Sequence, residues 1–334
     1  MTRRISILLA VSTVLLTMAL TVGVRLAGPA DLYEKDQPKT LAYTADVLIH
    51  GRLALPRDVI YQPATKPPLY NWVAAAVVSV AGYTEWAMKS PSILGTLATA
   101  AIIFGMARRG ISVKGKNCDA WLLGCLAAAI WFTFGSDVRH GSVMRLGYLA
   151  RPDMLQCAFL TAAWACATIA VQRSSPKAAF WPAMGFWASV AAAALTKGPA
   201  VLLVIVFALV YAGWPLILRL LPQKRMIVAQ PLGTRFKHLW LPIGAAGVAL
   251  VVGLWFWQAY RTDPDHVRSV MLGAEIAGRL SDQSPEGIKK PVYYSLMWFI
   301  TKAVPWGGVA LLSLMVLMIA RHFVGAILVS SVER

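Results

Sequence analysis

The sequence predicts an all-α protein, a polytopic transmembrane helical bundle with one amphipathic helix lying in the membrane interface. Three observations carry that expectation. Of the 334 residues, 58% are hydrophobic and 14% charged, against roughly 25% charged in an ordinary soluble domain. Apolar runs of about 17–23 residues recur from end to end, the length a helix needs to cross roughly 30 Å of hydrocarbon. One polar stretch, 31–66, interrupts them where the chain first leaves the bilayer. The Gly-punctuated alternation of a membrane barrel is not found in the sequence.

In chain order the candidate spans are 5–26, 68–84, 92–107, 119–134, 154–172, 178–195, 199–218, 239–259 and 292–320, the last interrupted by Pro305. Arg3 and Arg4 precede the first. Its end, Val22-Gly23-Val24 before Arg25, is a poor cleavage site, so it reads as an uncleaved span. In the polar stretch, Asp36-Gln37-Pro38 suits a helix start with Pro at the first helical position. Leu41, Ala45 and Leu48 then share one face, with Lys39, Asp46 and Arg52 elsewhere, and Gly51 suits the stop. A short interfacial helix of this kind holds Asp36 near headgroup level. No internal repeat or low-complexity linker divides the chain, and 1–334 reads as one integral-membrane domain.

Charge sets an orientation. Arg219, Lys224, Arg225, Arg235 and Lys237 crowd 219–237 without an acid, which places that loop in the cytoplasm. Counting back puts Lys197 and Asp153 at the outer face, and counting forward puts 260–290 there. Arg3 and Arg4 inside put 27–67 outside as well. The two counts disagree by one crossing near 136–152, which carries Asp137, Arg139, His140, Arg145 and Arg151. A re-entrant or broken segment within 119–152, lining a cavity, would restore the parity. The net charge of +17 fits membrane flanks facing anionic lipid, with no nucleic-acid partner. Cys118, Cys125, Cys157 and Cys166 show no metal-ligand spacing and read as packing residues.

Four segments go further. They are Asp36-Gln-Pro-Lys-Thr-Leu-Ala-Tyr-Thr-Ala-Asp-Val-Leu48 with Gly51, Lys66-Pro-Pro-Leu-Tyr-Asn-Trp72, Ala150-Arg-Pro-Asp-Met154 and Leu195-Thr-Lys-Gly-Pro199. Glu275-Ile-Ala-Gly-Arg279 and Pro305-Trp306 follow in order. Together they resemble the dolichyl-phosphate-mannose-protein mannosyltransferase-like family, whose bacterial branch includes the aminoarabinose transferase of lipid A. The resemblance implies the C-type glycosyltransferase fold and transfer from a polyprenyl-phosphate sugar donor to a lipid, glycan or protein acceptor. It also implies a place in the bacterial inner membrane with the site on the periplasmic face. Gln37 and Thr65 stand where the family often has acids, so neither a divalent cation nor another cofactor is expected. The family continues with further spans, so the chain is expected to lack its C-terminal region.

Such a transfer breaks an anomeric C–O bond through an oxocarbenium-like transition state. It needs a carboxylate to take the acceptor's proton and cations to meet the leaving phosphate. Asp36 is the candidate base; the plainer reading is an acid on a helix dipole. Lys66, on a stiff Pro-Pro segment, and Lys197 are candidate phosphate ligands or else snorkelling lysines. Arg151 and Asp153 flank Pro152, as a structural pair or as substrate-positioning groups. Arg279 and Glu275 are candidates from the second outer loop. Tyr33, Tyr61 and Tyr70 would stack on sugar or line the lipid groove, interfacial aromatics being the alternative. A flippase of a lipid-linked intermediate and a non-catalytic family member remain open at this stage.

Overall fold

The structure, a computed structural model, describes residues 36–111, 149–198, 201–220 and 232–277, with scattered positions within 8–32 and 121–131. Among these the fold is helical: α1 (Gln37–His50), α2 (Leu69–Ala81), α3 (Glu85–Ile111), α4 (Asp153–Val171), α5 (Pro176–Lys197), α6 (Val201–Leu220), α7 (Leu232–Lys237) and α8 (Leu241–Thr262). A single turn, Pro264–His266, and a π-helical segment, Val267–Ala277, follow α8. Helices α3, α4 and α5 and the stretch Arg235–Thr262 are long and apolar enough to cross a membrane. The protein is integral to the membrane. The candidate span 292–320 and Arg279 lie outside the described residues.

Small residues make the bundle. Ala163, Ala167 and Ala170 of α4 are buried against Ala179, Ala183 and Val190 of α5, with Ala208 and Ala212 of α6 closing the cluster. In lipid no hydrophobic drive separates helix from solvent, so close backbone approach and dispersion hold helices together. Gly95 is the sharpest case. A Cβ there would stand 2.6 Å from the backbone carbonyl of Met154, so only glycine lets α3 lie against the start of α4.

These contacts give each helix a direction. Gly95 meets Met154, and further along Arg109 and Gln172 line one shared cavity, so α3 and α4 run parallel. Lys197, at the end of α5, returns to Asp153. Gln172 donates to the Tyr211 hydroxyl at 3.1 Å, so α6 leads away again. The Trp240 indole donates to the Pro176 carbonyl at 3.1 Å and the Trp255 indole to the Ala54 carbonyl at 3.0 Å, so α8 returns. One end of the bundle therefore gathers 36–66, the start of α3, 149–153, Lys197 and 255–277.

That arrangement corrects the expected span 68–84. Helix α2 has 13 residues, about 20 Å of rise against a core of about 30 Å. It begins beside Lys66, and Tyr70 donates to the Met88 carbonyl at 3.2 Å near the start of α3. Because α3 departs from that same end, α2 never crosses. The true crossing is α3, seven residues longer at its start than the expected 92–107 and continuous through Pro91. With α2 removed from the count, the two charge-based orientations agree without a re-entrant segment. The segment invoked over 119–152 lies outside the described residues, apart from scattered positions. The test is labelling: Tyr83→Cys, exposed between α2 and α3, is expected to react from the same side of the membrane as Ile60→Cys. Reaction from opposite sides would reinstate α2 as a span.

The polar stretch folds as a compact cap on this end. Helix α1 begins at Gln37, one residue before the expected Pro38, and stops as expected at Gly51, whose φ of 65° is left-handed. Leu41 and Leu48 pack on Val78, Ala87 and Met88. The opposite face is not simply solvated. Asp46 is buried, accepting from the Arg57 N–H at 2.8 Å, from His50 Nδ1 at 2.8 Å and from Arg52 at 3.0 Å. Asp58 accepts from the Ile60 and Gln62 N–H groups at 3.0 and 2.9 Å. Trp72 donates to the Leu53 carbonyl at 2.8 Å. With Trp255 on Ala54, two indoles thus tie the loop to the helices beneath it.

Candidate active site

Between this cap and the helix ends lies a cavity of about 620 Å³, lined among others by Asp36, Lys39, Lys66, Asn71, Pro152 and His266. Two of the charged residues that line it, Asp36 and Lys66, belong to a chain of ion pairs. Lys197 bonds Asp153, Arg151 Nε lies 3.7 Å from Asp153, Arg151 Nη2 donates to Asp36 at 3.2 Å, and Lys66 Nζ is 3.9 Å from the same Asp36 oxygen. Five residues from four distant segments converge, as the sequence motifs require of one site.

Each is placed by local structure. Asp36 precedes α1, but its side chain makes no capping hydrogen bond; the carboxylate turns to Arg151 and Lys66 instead. Lys66 is held by Pro67 and Pro68 at the mouth of α2. Pro152 is the N-cap of α4, which sets Arg151 before the helix and Asp153 as its first residue. Ser92 Oγ on α3 donates to the Arg151 carbonyl at 2.8 Å. Gly198, with φ of 80°, ends α5 directly after Lys197.

The plainer readings divide. Among described loop carboxylates, Asp46 and Asp58 are engaged by backbone N–H groups, whereas Asp36 is 55% exposed at the cavity and bonded only to cations. Tyr70 lines the cavity, but its hydroxyl turns inward to donate to the Met88 carbonyl and lies 3.4 Å from the Ser92 hydroxyl. Tyr61 is exposed on the turn over 58–62. Tyr33, Arg279 and the Glu275 side chain lie outside what the structure describes. Among the described residues no cluster of His, Cys, Asp or Glu suits a metal ion.

Burial holds the Lys66 ammonium below the ordinary lysine range; Asp36 works against that shift and Lys197 with it. Tyr43, also at the cavity, is pushed up to about 12, chiefly by burial and then by the charges of Asp58 and Asp36.

Two groups at this end, His266 and Lys89, are not among the candidates the sequence offers, and Lys39 and Gln37 have surroundings that the sequence does not display. His266 brings in the segment after α8, its Nε2 lying 3.2 Å from the Ala64 carbonyl. Lys39, one turn into α1, faces the cavity with no ion pair among the described residues. Lys89, fully buried, pairs with Glu85 at 2.5 Å; their i,i+4 spacing in an apolar run was the available signal. Gln37 is buried with its carbonyl oxygen on the Ala150 N–H at 2.8 Å.

A polytopic bundle capped by interfacial helices, with an acid and cations at one end, defines the class: a membrane protein of the C-type glycosyltransferase fold. The chain is similar to ArnT from Cupriavidus metallidurans bound to undecaprenyl phosphate, with TM-score 0.64, 18% identity, and coverage of 90% of this chain and 49% of that one. It is equally similar to the apo state of that protein, with TM-score 0.63 and 19% identity over the same shares. The chain spans about half the length of these structures. The likeness shows the fold; it does not single out the mannosyltransferase-like family within it. No protein-family model and no curated protein matches the chain.

Proposed function

We propose that the chain transfers a sugar from a polyprenyl-phosphate donor to a lipid, glycan or protein acceptor at the outer membrane face, the bacterial inner membrane being the setting. The observation that carries this reading is the convergence of Asp36, Lys66, Arg151, Asp153 and Lys197 in one chain of ion pairs, of which Asp36 and Lys66 line the cavity. The lipid tail lies among the helices while the phosphate meets Lys66 and Arg151. The acceptor oxygen attacks the anomeric carbon and its proton passes to Asp36. The bond from anomeric carbon to phosphate oxygen breaks, and the two cations stabilise the charge that collects on the phosphate. Asp153 and Lys197 hold Arg151 from behind.

The neighbouring ArnT binds undecaprenyl phosphate, which supports a polyprenyl phosphate as ligand here. A flippase would place its polar groups midway across the bundle; Asp153 is instead the first residue of α4 and Lys197 the last of α5. The test is release and transfer of radiolabelled sugar from polyprenyl-phosphate donors by the purified protein, with lipid, glycan and protein acceptors side by side. Sugar transfer is the expected result. Retention of every donor intact would overturn it in favour of a non-catalytic role.

A further inference from the structure

Gln37 follows the proposed base in the chain, yet its side chain reaches a segment 113 positions away. It is wholly buried, and its carbonyl oxygen accepts the Ala150 N–H at 2.8 Å. Ala150 precedes Arg151, whose guanidinium meets Asp36 at 3.2 Å. The turn is closed on itself by the Arg151 N–H on the Leu149 carbonyl at 2.7 Å and gripped from α3 by Ser92 on the Arg151 carbonyl. Gln37 grips it from α1, the helix that carries Asp36 at its start.

We propose that Gln37 is a positioning residue: by holding the Ala150 N–H it fixes the separation of Arg151 from Asp36 and so sets the charge field in which Asp36 works. The kinetic side of this inference rests on the reading of Asp36 as base; the geometric side does not. An amide suits the task better than the acid the family resemblance would place here. A glutamate would accept the same N–H, but its buried charge would compete with Asp36 for Arg151. The amide supplies the acceptor without the charge.

The experiment reads the field directly. In full-length protein, Asp36→Cys places a thiol at this accessible position. The pH dependence of its alkylation by iodoacetamide, followed by mass spectrometry on the peptide carrying position 36, reports how strongly nearby cations stabilise the thiolate. Adding Gln37→Met, which keeps the bulk and removes the acceptor, is expected to slow alkylation at neutral pH about tenfold. Arg151→Gln is expected to slow it equally, and both together no further. Gln37→Asn, an amide one methylene short of Ala150, is expected to match Gln37→Met and replaces it should that variant not fold. Alkylation at the native rate, or slowing that multiplies with that of Arg151→Gln, would overturn the inference. In the chain retaining Asp36, the same Gln37 variants are expected to lower kcat with KM little changed. Absence of transfer by the unsubstituted chain overturns the proposed function alone, because the thiol readout still decides the role of Gln37.

Discussion

Asp36→Asn is expected to cut sugar transfer by about 10²–10⁴-fold, the range a positioned general base contributes, while leaving the fold intact. The geometry explains both halves. The carboxylate makes no capping hydrogen bond, and asparagine is itself a good cap. It is 55% exposed, so its ion pairs contribute little to stability, and thermal melting is expected to be close to that of the unsubstituted protein. Binding of undecaprenyl phosphate is expected to hold or tighten, because removing the acid frees Arg151 and Lys66 for the phosphate. Initial rates of radiolabelled transfer and direct lipid binding, measured on the same preparation, separate these effects. Retained transfer would remove Asp36 from the chemistry. Within 36–66 it would leave no free carboxylate in its place, since Asp46 and Asp58 are held by backbone N–H groups.

Much of this architecture was legible because membrane helices announce themselves by length and apolarity, and because caps obey local rules. Pro38 and Gly51 bounded α1. What failed was the crossing count. Leu69–Ala81 is as apolar as a span, and composition alone does not say that a helix 13 residues long lies at the bundle's end. Only the shared direction of α3 and α4, fixed by Gly95 against Met154, reveals it. The motifs brought Asp36, Lys66, Arg151, Asp153 and Lys197 into consideration, since charges beside apolar runs require a reason. Their order in the network was not legible, because it depends on contacts between segments 30, 44 and 115 positions apart. Gln37 stands in the sequence where the family often has an acid, whereas its carbonyl oxygen holds a backbone N–H that no sequence pattern displays. Asp46 stands in the sequence as part of a polar face because two of its three partners, Arg52 and the Arg57 N–H, come from the loop that folds back over α1.

The pH dependence of phosphate binding isolates Lys66. Burial holds its ammonium below the ordinary lysine range, and a bound phosphate favours the charged form, so the lysine's pKa is higher in the complex than in the free protein. Below the lowered value of the free protein, Lys66 is charged in both states and contributes no slope. Between that value and the higher one of the complex, binding takes up a proton, and affinity falls as pH rises. The phosphate's own second ionisation, near about pH 6, acts at lower pH and is distinguishable on that ground. Lys66→Met is expected to weaken undecaprenyl phosphate binding by about 10–100-fold near neutral pH, the loss of one charge-assisted contact of about 1.5–3 kcal/mol, and to abolish the alkaline slope. Lys66→Arg keeps its charge through this range, so it is expected to retain most of the affinity and also lose the slope. A lysine that only snorkels to the interface would give a different result: Lys66→Met would bind the lipid as the unsubstituted chain does, with the same pH profile. Affinities measured across neutral and alkaline pH for the three proteins decide between a phosphate ligand and a membrane anchor.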